Sequence, residues 1–173
     1  MDRDERYMRL ALNEAAKARR AGEVPVGALV VLGDEVLGRG HNASVAQCDA
    51  TAHAEILALR DAGSKLGNYR LSGAVLYSTV EPCLMCLGAA VHARIARVVY
   101  GAPDAKAGGI ARLEAMRAVG ADFNHRFATT GGVLAEEAAE LLLAFFRERR
   151  ATGRATEDGA LEDEDSGEVP KWS

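Results

Sequence analysis

Ala74-Val-Leu-Tyr-Ser-Thr-Val80 runs without a break into Glu81-Pro-Cys-Leu-Met-Cys86 and on through Leu87-Gly-Ala-Ala-Val-His92. The first seven residues are apolar or β-branched and read as a buried strand. The stretch after Cys83 is apolar enough for a buried helix, and Pro82 sits where that helix would begin, because its missing N–H and fixed φ cost nothing there. Working outward, the alternation repeats. Asp4 to Arg20 has apolar residues at Tyr7, Met8, Ala11, Leu12 and Ala15, a helical spacing. Val26 to Leu32 and Glu35 to Gly40 read as a strand pair turned at Gly33-Asp34. A helix is expected from His53 to about Asp61, with Thr51 as its N-cap, and a loop from Gly63 to Tyr69. Downstream come a strand over Ala96 to Tyr100, a loop over Gly101 to Gly109, a short helix over Ala111 to Val119 and a last strand over Phe127 to Thr130. The helix from Leu134 to Arg150 carries Leu134, Ala138, Leu141, Leu142, Phe145 and Phe146 on one stripe. Strands alternating with helices predict a layered α/β domain with a largely buried sheet.

Two short runs carry chemistry: Thr51-Ala-His-Ala-Glu55 and Glu81-Pro-Cys-Leu-Met-Cys86. Cys83 and Cys86 are three apart, so on a helix they share a face and can reach one ion. A cysteine at a helix N-terminus meets the positive end of the dipole, which favours the thiolate that zinc requires. His53 opens a second helix, so two N-termini would converge on one metal. Three protein ligands leave a fourth zinc position for water, whose pKa the metal lowers from about 15.7 toward roughly 7 to 9. Glu55, rotated away from His53 on the same turn, is then placed to carry protons. A structural zinc site is the other reading. It needs a fourth ligand, and the spare residues are Cys48, His41, His92 and His125, none in a second tight pair.

With 173 residues, 49% of them hydrophobic, the chain can bury one core. No apolar run approaches a membrane span and the charged start, Met1-Asp-Arg-Asp-Glu-Arg, is followed by no apolar signal segment, so a soluble, cytoplasmic protein is expected. Three cysteines, two in a Cys-x-x-Cys, suit a metal better than disulfides; Cys48 reads as an incidental thiol. Residues 1–155 are expected to form the folded domain. Residues 156–173 carry seven acidic side chains against Lys171 alone and read as a disordered tail. The formal net charge of −4 is therefore misleading, since residues 1–155 carry about +2. Arg147, Arg149, Arg150 and Arg154 gather at the end of the last helix.

His-x-Glu followed by Pro-Cys-x-x-Cys is the known signature of zinc-dependent nucleobase deaminases. The further segments Glu23-Val-Pro-Val-Gly-Ala28, Asn42, Asn68-Tyr-Arg-Leu71, Arg94-Ile95, Val98-Val-Tyr-Gly101, Asp104-Ala-Lys106, Asn124-His-Arg126 and Gly132-Val-Leu-Ala-Glu-Glu137 narrow the match. From the first helix to about Arg150 the chain resembles the bacterial tRNA-specific adenosine deaminases (TadA type) of the cytidine-deaminase-like superfamily. The resemblance implies a three-layer α/β/α fold with a central mixed five-stranded sheet, a homodimer with one zinc per subunit, and conversion of the wobble adenosine to inosine in an ACG-anticodon arginine tRNA. Carried over by position, His53, Cys83 and Cys86 bind zinc and Glu55 shuttles protons. Asn42 hydrogen-bonds the target nucleoside, Val24 and Pro25 wall its pocket, and the Ala54 N–H meets the base edge. Asp104 and Lys106 lie beside the anticodon loop, while Phe145, Arg149 and Arg150 approach flanking nucleotides. Residue by residue, alternatives stand. Asn42 suits a turn, one of Phe145 and Phe146 suits the core, and the arginines suit a solvated helix end. A free-base deaminase acting on guanine or cytosine would use the same motif.

An acidic tail near a phosphate-binding face opposes RNA. Removing residues 156–173 is expected to strengthen stem-loop binding at low salt and to have little effect at high salt, read by fluorescence anisotropy. Equal affinities at low salt would make the tail electrostatically irrelevant.

Overall fold

A computed structural model describes residues 2–121 and 123–151; the acidic tail and Arg154 lie outside them. Eleven elements follow one another along the described chain: α1 (Arg3–Arg20), β1 (Gly27–Leu32), β2 (Glu35–His41), α2 (Ser44–Gln47), α3 (Ala54–Leu66), β3 (Val75–Val80), α4 (Leu84–His92), β4 (Arg97–Ala102), α5 (Ile110–Ala118), β5 (Ala128–Thr130) and α6 (Ala135–Ala151). The five strands form one sheet in the order β2-β1-β3-β4-β5. Strand β1 is antiparallel to both β2 and β3, whereas β3, β4 and β5 run parallel. The sheet is mixed, as expected.

Side-chain alternation along the strands builds the layers. Ala28, Val30, Leu76 and Val98 pack with Ala54, Ala58 and Ala62 of α3, Leu87 and Ala90 of α4, and Leu113 of α5. Their neighbours Leu29, Val31, Tyr77 and Val99 pack with Tyr7, Met8 and Ala11 of α1 and, at the foot of α6, Leu134. Arg9–Glu137 and Arg19–Glu148 ion pairs hold α1 beside α6. The result is three layers, with α3, α4 and α5 on one face and α1 with α6 on the other.

Strand β2 carries almost no side chain where α3 crosses it. A Cβ on Gly38 would sit 2.1 Å from the Ala58 carbonyl, and one on Gly40 2.2 Å from the Ala54 carbonyl. The alanine stripe of α3 matches from the other side, so helix backbone rests on strand backbone. That contact fixes where α3 begins.

Four boundaries differ from expectation. Helix α3 continues past Asp61 to Leu66, because Ala62 is buried against the sheet; Gly67, at φ +65°, ends it. Thr51 does not cap this helix. Its N–H and hydroxyl both bond Asp49 Oδ1, and His53 holds the N-cap position. Pro82 precedes the first helical residue by two, since Cys83 is the N-cap of α4 and the Pro82 carbonyl accepts from Gly109 N–H at 2.8 Å. The four-residue α2 was not anticipated, for it has no buried side chain to give a pattern. In α6 the apolar stripe is buried only at Ala138 and Phe145, and Phe146 is exposed.

Gly40→Ala is expected to destabilise the fold by about 2–3 kcal/mol, because rigid backbone rather than a flexible side chain blocks the new methyl. Thermal unfolding checks it; an unchanged melting temperature would mean that α3 shifts freely on β2.

Candidate active site

Helices α3 and α4 both start at the same edge of the sheet, and in each the N-cap residue has extended φ and ψ and a side chain that bonds none of its helix amides. Those two residues are His53 and Cys83. Their side chains are therefore free to turn toward one point, and Cys86 joins from the first turn of α4. His53 Nδ1 lies 3.7 Å from Cys83 Sγ and 3.6 Å from Cys86 Sγ, and the two sulfurs are 3.7 Å apart. A tetrahedral zinc with Zn–S near 2.3 Å and Zn–N near 2.0–2.1 Å demands S···S of about 3.8 Å and S···N of about 3.6 Å. The donor set and its spacing fit zinc.

Electrostatics agree. The Cys83 thiol is pulled down to about 4 by its hydrogen bond with Cys86 and then by that with His53. The bond with Cys83 and burial push Cys86 up, so metal binding must displace a proton from it. The Cys83 contact raises the His53 pKa. Among the described residues this is a three-membered group, and Cys48, His41, His92 and His125 are not part of it. The four-ligand structural reading therefore finds no fourth donor. His41 instead faces Glu14 at 3.6 Å, and His125 bonds the Ile95 carbonyl.

Glu55, the second residue of α3, is 4% exposed and accepts a hydrogen bond from Ser78 Oγ of β3 at 3.3 Å. Burial raises its pKa. It holds a proton more readily than a solvated carboxylate, which suits a group that must take and return one.

Beside His53 opens a cavity of about 310 Å³ walled by Val24, Asn42, Val45 and Arg149 among others. Asn42 Oδ1 accepts the Ala54 N–H at 2.9 Å. That amide, expected at the base edge, is engaged with Asn42 in this structure, and the bond leaves the Asn42 amide nitrogen as the group that can face a ligand. Pro25 is buried and is not among the residues that line the cavity. Phe145, expected among flanking nucleotides, is a packing residue only 4% exposed, with the Arg149 guanidinium 4.9 Å over its ring. Arg150 is exposed and is not among the residues that line the cavity. Asp104 and Lys106 are also outside it. Asp104 Oδ1 accepts the N–H groups of Lys106 and Ala107, which shapes their turn, while Lys106 stays exposed.

Two carboxylates near the site escaped the sequence reading. Glu81 accepts from the N–H groups of Asp104 and Ile110, pressing the 104–110 loop against the cysteine strand end, where Cys83 bridges Gly108. Glu23 is 3% exposed and accepts from the N–H groups of Val45 and Ala46. Their only sequence signal is position, immediately before Val24-Pro25 and Pro82-Cys83.

Comparison with known proteins places this geometry. The family model for the cytidine and deoxycytidylate deaminase zinc-binding region matches residues 1–102. The tRNA-specific adenosine deaminase of Haemophilus influenzae is 46% identical over 158 residues, 85% of each chain, and that of Bacillus subtilis is 45% identical over 90% of this chain and 96% of its own. The chain belongs to the bacterial tRNA-specific adenosine deaminases. A solved tRNA:A34 deaminase superposes with a TM-score of 0.73 at 41% identity, covering 79% of this chain and 99% of that one. A guanine deaminase from Nitrosomonas europaea, at 27% identity and a TM-score of 0.66, shares the fold over 82% of this chain and 83% of its own.

Purified protein is expected to carry about one zinc per chain, and Cys86→Ser to lose it and to melt at lower temperature. Elemental analysis beside a thermal melt checks both; full zinc in the variant would remove Cys86 from the ligand set.

Proposed function

We propose that this chain hydrolyses the wobble adenosine of an ACG-anticodon arginine tRNA to inosine, releasing ammonia. The observation that carries the reading is a carboxylate, Glu55, buried beside a three-donor zinc set with no fourth ligand among the described residues. Zinc, when bound there, supplies the Lewis acidity that lets water lose a proton near neutral pH. The rest of the chemistry falls to the chain. Glu55 takes the proton of the attacking water and delivers it to the ring nitrogen beside C6. As the C6–N bond breaks, the same carboxyl passes the proton of the new C6 hydroxyl to the departing amine, leaving the C6 carbonyl of inosine and ammonia, so one group serves as base and then acid. The bond from Ser78 holds one Glu55 oxygen in place throughout.

Binding follows from the cavity. Its volume of about 310 Å³ lies at the small end for ligand sites, right for one nucleoside unit. Asn42, oriented by the Ala54 amide, offers its amide nitrogen to the nucleoside, and Val24 contributes an apolar wall. Arg149, Arg150 and Lys106 lie outside the reacting centre and suit phosphates of neighbouring nucleotides. An anticodon loop presents unstacked bases, so the enzyme need not extract its target from a helix.

The reading includes a cytoplasmic homodimer. No described helix is long and apolar enough to cross a membrane. An apolar groove of about 650 Å³ between α3 and α4, edged by Ile56, Leu59 and Tyr69, is available to a second copy.

Inosine is expected on an ACG anticodon stem-loop, with free guanine, cytosine and adenosine untouched. Glu55→Ala should abolish turnover by at least about a thousandfold while zinc stays bound. Ammonia from free guanine or cytosine, with the stem-loop intact, would move the protein to nucleobase salvage; an active Glu55→Ala enzyme would remove Glu55 as the proton carrier.

A further inference from the structure

Helix α2, Ser44–Gln47, is a peculiar piece of the cavity wall. It has four residues, no side-chain N-cap and no buried side chain. Val45 is 62% exposed yet lines the cavity with His53 and Asn42. Single exposed valines are ordinary on a protein surface. This one belongs to a turn that contributes nothing to the core, so packing gives no account of its position.

Something other than hydrophobic burial must therefore hold the turn. Its own backbone bonds stay local: Gln47 N–H to Ala43, Cys48 N–H to Val45 and Asp49 N–H to Ser44. At its start the Ala43 N–H bonds the Ala52 carbonyl, and the tie from a distant segment is Glu23. Its Oε1 accepts the Ala46 N–H at 2.7 Å and its Oε2 the Val45 N–H at 3.3 Å. Glu23 is itself rigidly placed. Just past helix α1 and its C-cap Ala21, Gly22 sits at φ +80°, and the Glu23 N–H bonds back to the Ala18 carbonyl, a C-terminal motif that fixes the backbone on which the carboxylate stands. The next residue, Val24, lines the same cavity, as does Glu23 itself. One side chain thus joins two segments of the cavity lining, 22 to 23 residues apart in sequence.

We propose that Glu23 is the positioning residue of the substrate pocket and that it acts through Val45. Its carboxylate presents the Val45 side chain to the target nucleoside as an apolar lip. Without the tie the α2 turn loosens, the pocket widens and the nucleoside is held less well, while the zinc donors and Glu55, built on α3 and α4, keep their places. The loss falls on substrate binding and not on the chemical step. The proposal rests on the nucleoside-deaminase reading for its substrate but not for the tie itself.

Steady-state kinetics on the ACG stem-loop test it with Glu23→Ala, Glu23→Gln, Val45→Ala and the Glu23→Ala/Val45→Ala double variant. Glu23→Ala and Val45→Ala are each expected to raise KM roughly tenfold, the scale of one charge-assisted hydrogen bond. The kcat should stay within about twofold and the zinc content should not change. Glu23→Gln keeps the shape and one acceptor, and should fall between wild type and Glu23→Ala. If Glu23 acts through Val45, the double variant is no worse than Glu23→Ala alone. Penalties that multiply, or a fall in kcat with KM unchanged, overturn the proposal. Amide hydrogen exchange gives an arm independent of substrate: Val45 and Ala46 should exchange faster in Glu23→Ala, with the helix α3 amides unaffected. Unchanged exchange at those two amides also overturns it. If the wild-type chain edits no stem-loop, the substrate reading fails while the exchange result still decides the tie.

Discussion

Two helices begin at one point. Everything at the site depends on α3 and α4 lying on the same face of the sheet with their first residues adjacent, so that an imidazole and two sulfurs meet at 3.6 to 3.7 Å. Each helix directs the positive end of its dipole there, which favours the thiolate of Cys83 and stabilises the negative form of Glu55 against the cost of its burial. Position comes from packing. The glycines of β2 let α3 sit on bare backbone, and the parallel β3 delivers Cys83 beside it. The chemistry is thus a product of how closely two backbones approach.

Around this centre, loops without cores of their own are shaped by buried or half-buried carboxylates. Glu81 gathers the amides of Asp104 and Ile110, and Gly108 and Gly109 let that loop lie against the cysteine turn. Glu23 does the same for Val45 and Ala46 on the other side. Glu14, 3% exposed, faces Lys17, Arg39 and His41, pinning the far end of β2 just before Asn42. Bonds of this charge-assisted kind are directional, whereas apolar contacts are not, and a substrate wall needs direction more than bulk.

What was legible follows from periodicity and local motif. The Cys-x-x-Cys and His-x-Glu residues, the alternation of strands and helices along the chain and the amphipathic α1 all announce themselves within a few residues of sequence. Errors arose where tertiary contact overrides a local rule. Gly63 looks like a helix end, but Ala62 buried against β2 carries α3 onward to Leu66. Thr51 is the better N-cap by residue type, yet its N–H and hydroxyl bond Asp49, and the helix begins at Ala54, where its backbone rests on Gly40. Phe145 and Phe146 are neighbours on one apolar stripe, and only the tertiary structure decides that Phe145 is buried and Phe146 exposed. The Glu23 and Glu81 ties span 22 to 29 residues and leave no trace in any periodicity.

Zinc at this site would join His53 to Cys83 across 30 residues of chain. A cross-link closing a loop of that length restricts the unfolded chain by about 3–4 kcal/mol in the entropy model used for disulfides. The link lies wholly within the layer of α3 and α4, whereas α1 and α6 are held to the opposite face by their own apolar contacts and ion pairs. Stability is therefore unevenly distributed between the two faces. Metal depletion would act first on the α3–α4 side of the sheet, the side whose ligand-bearing helix starts the metal would join.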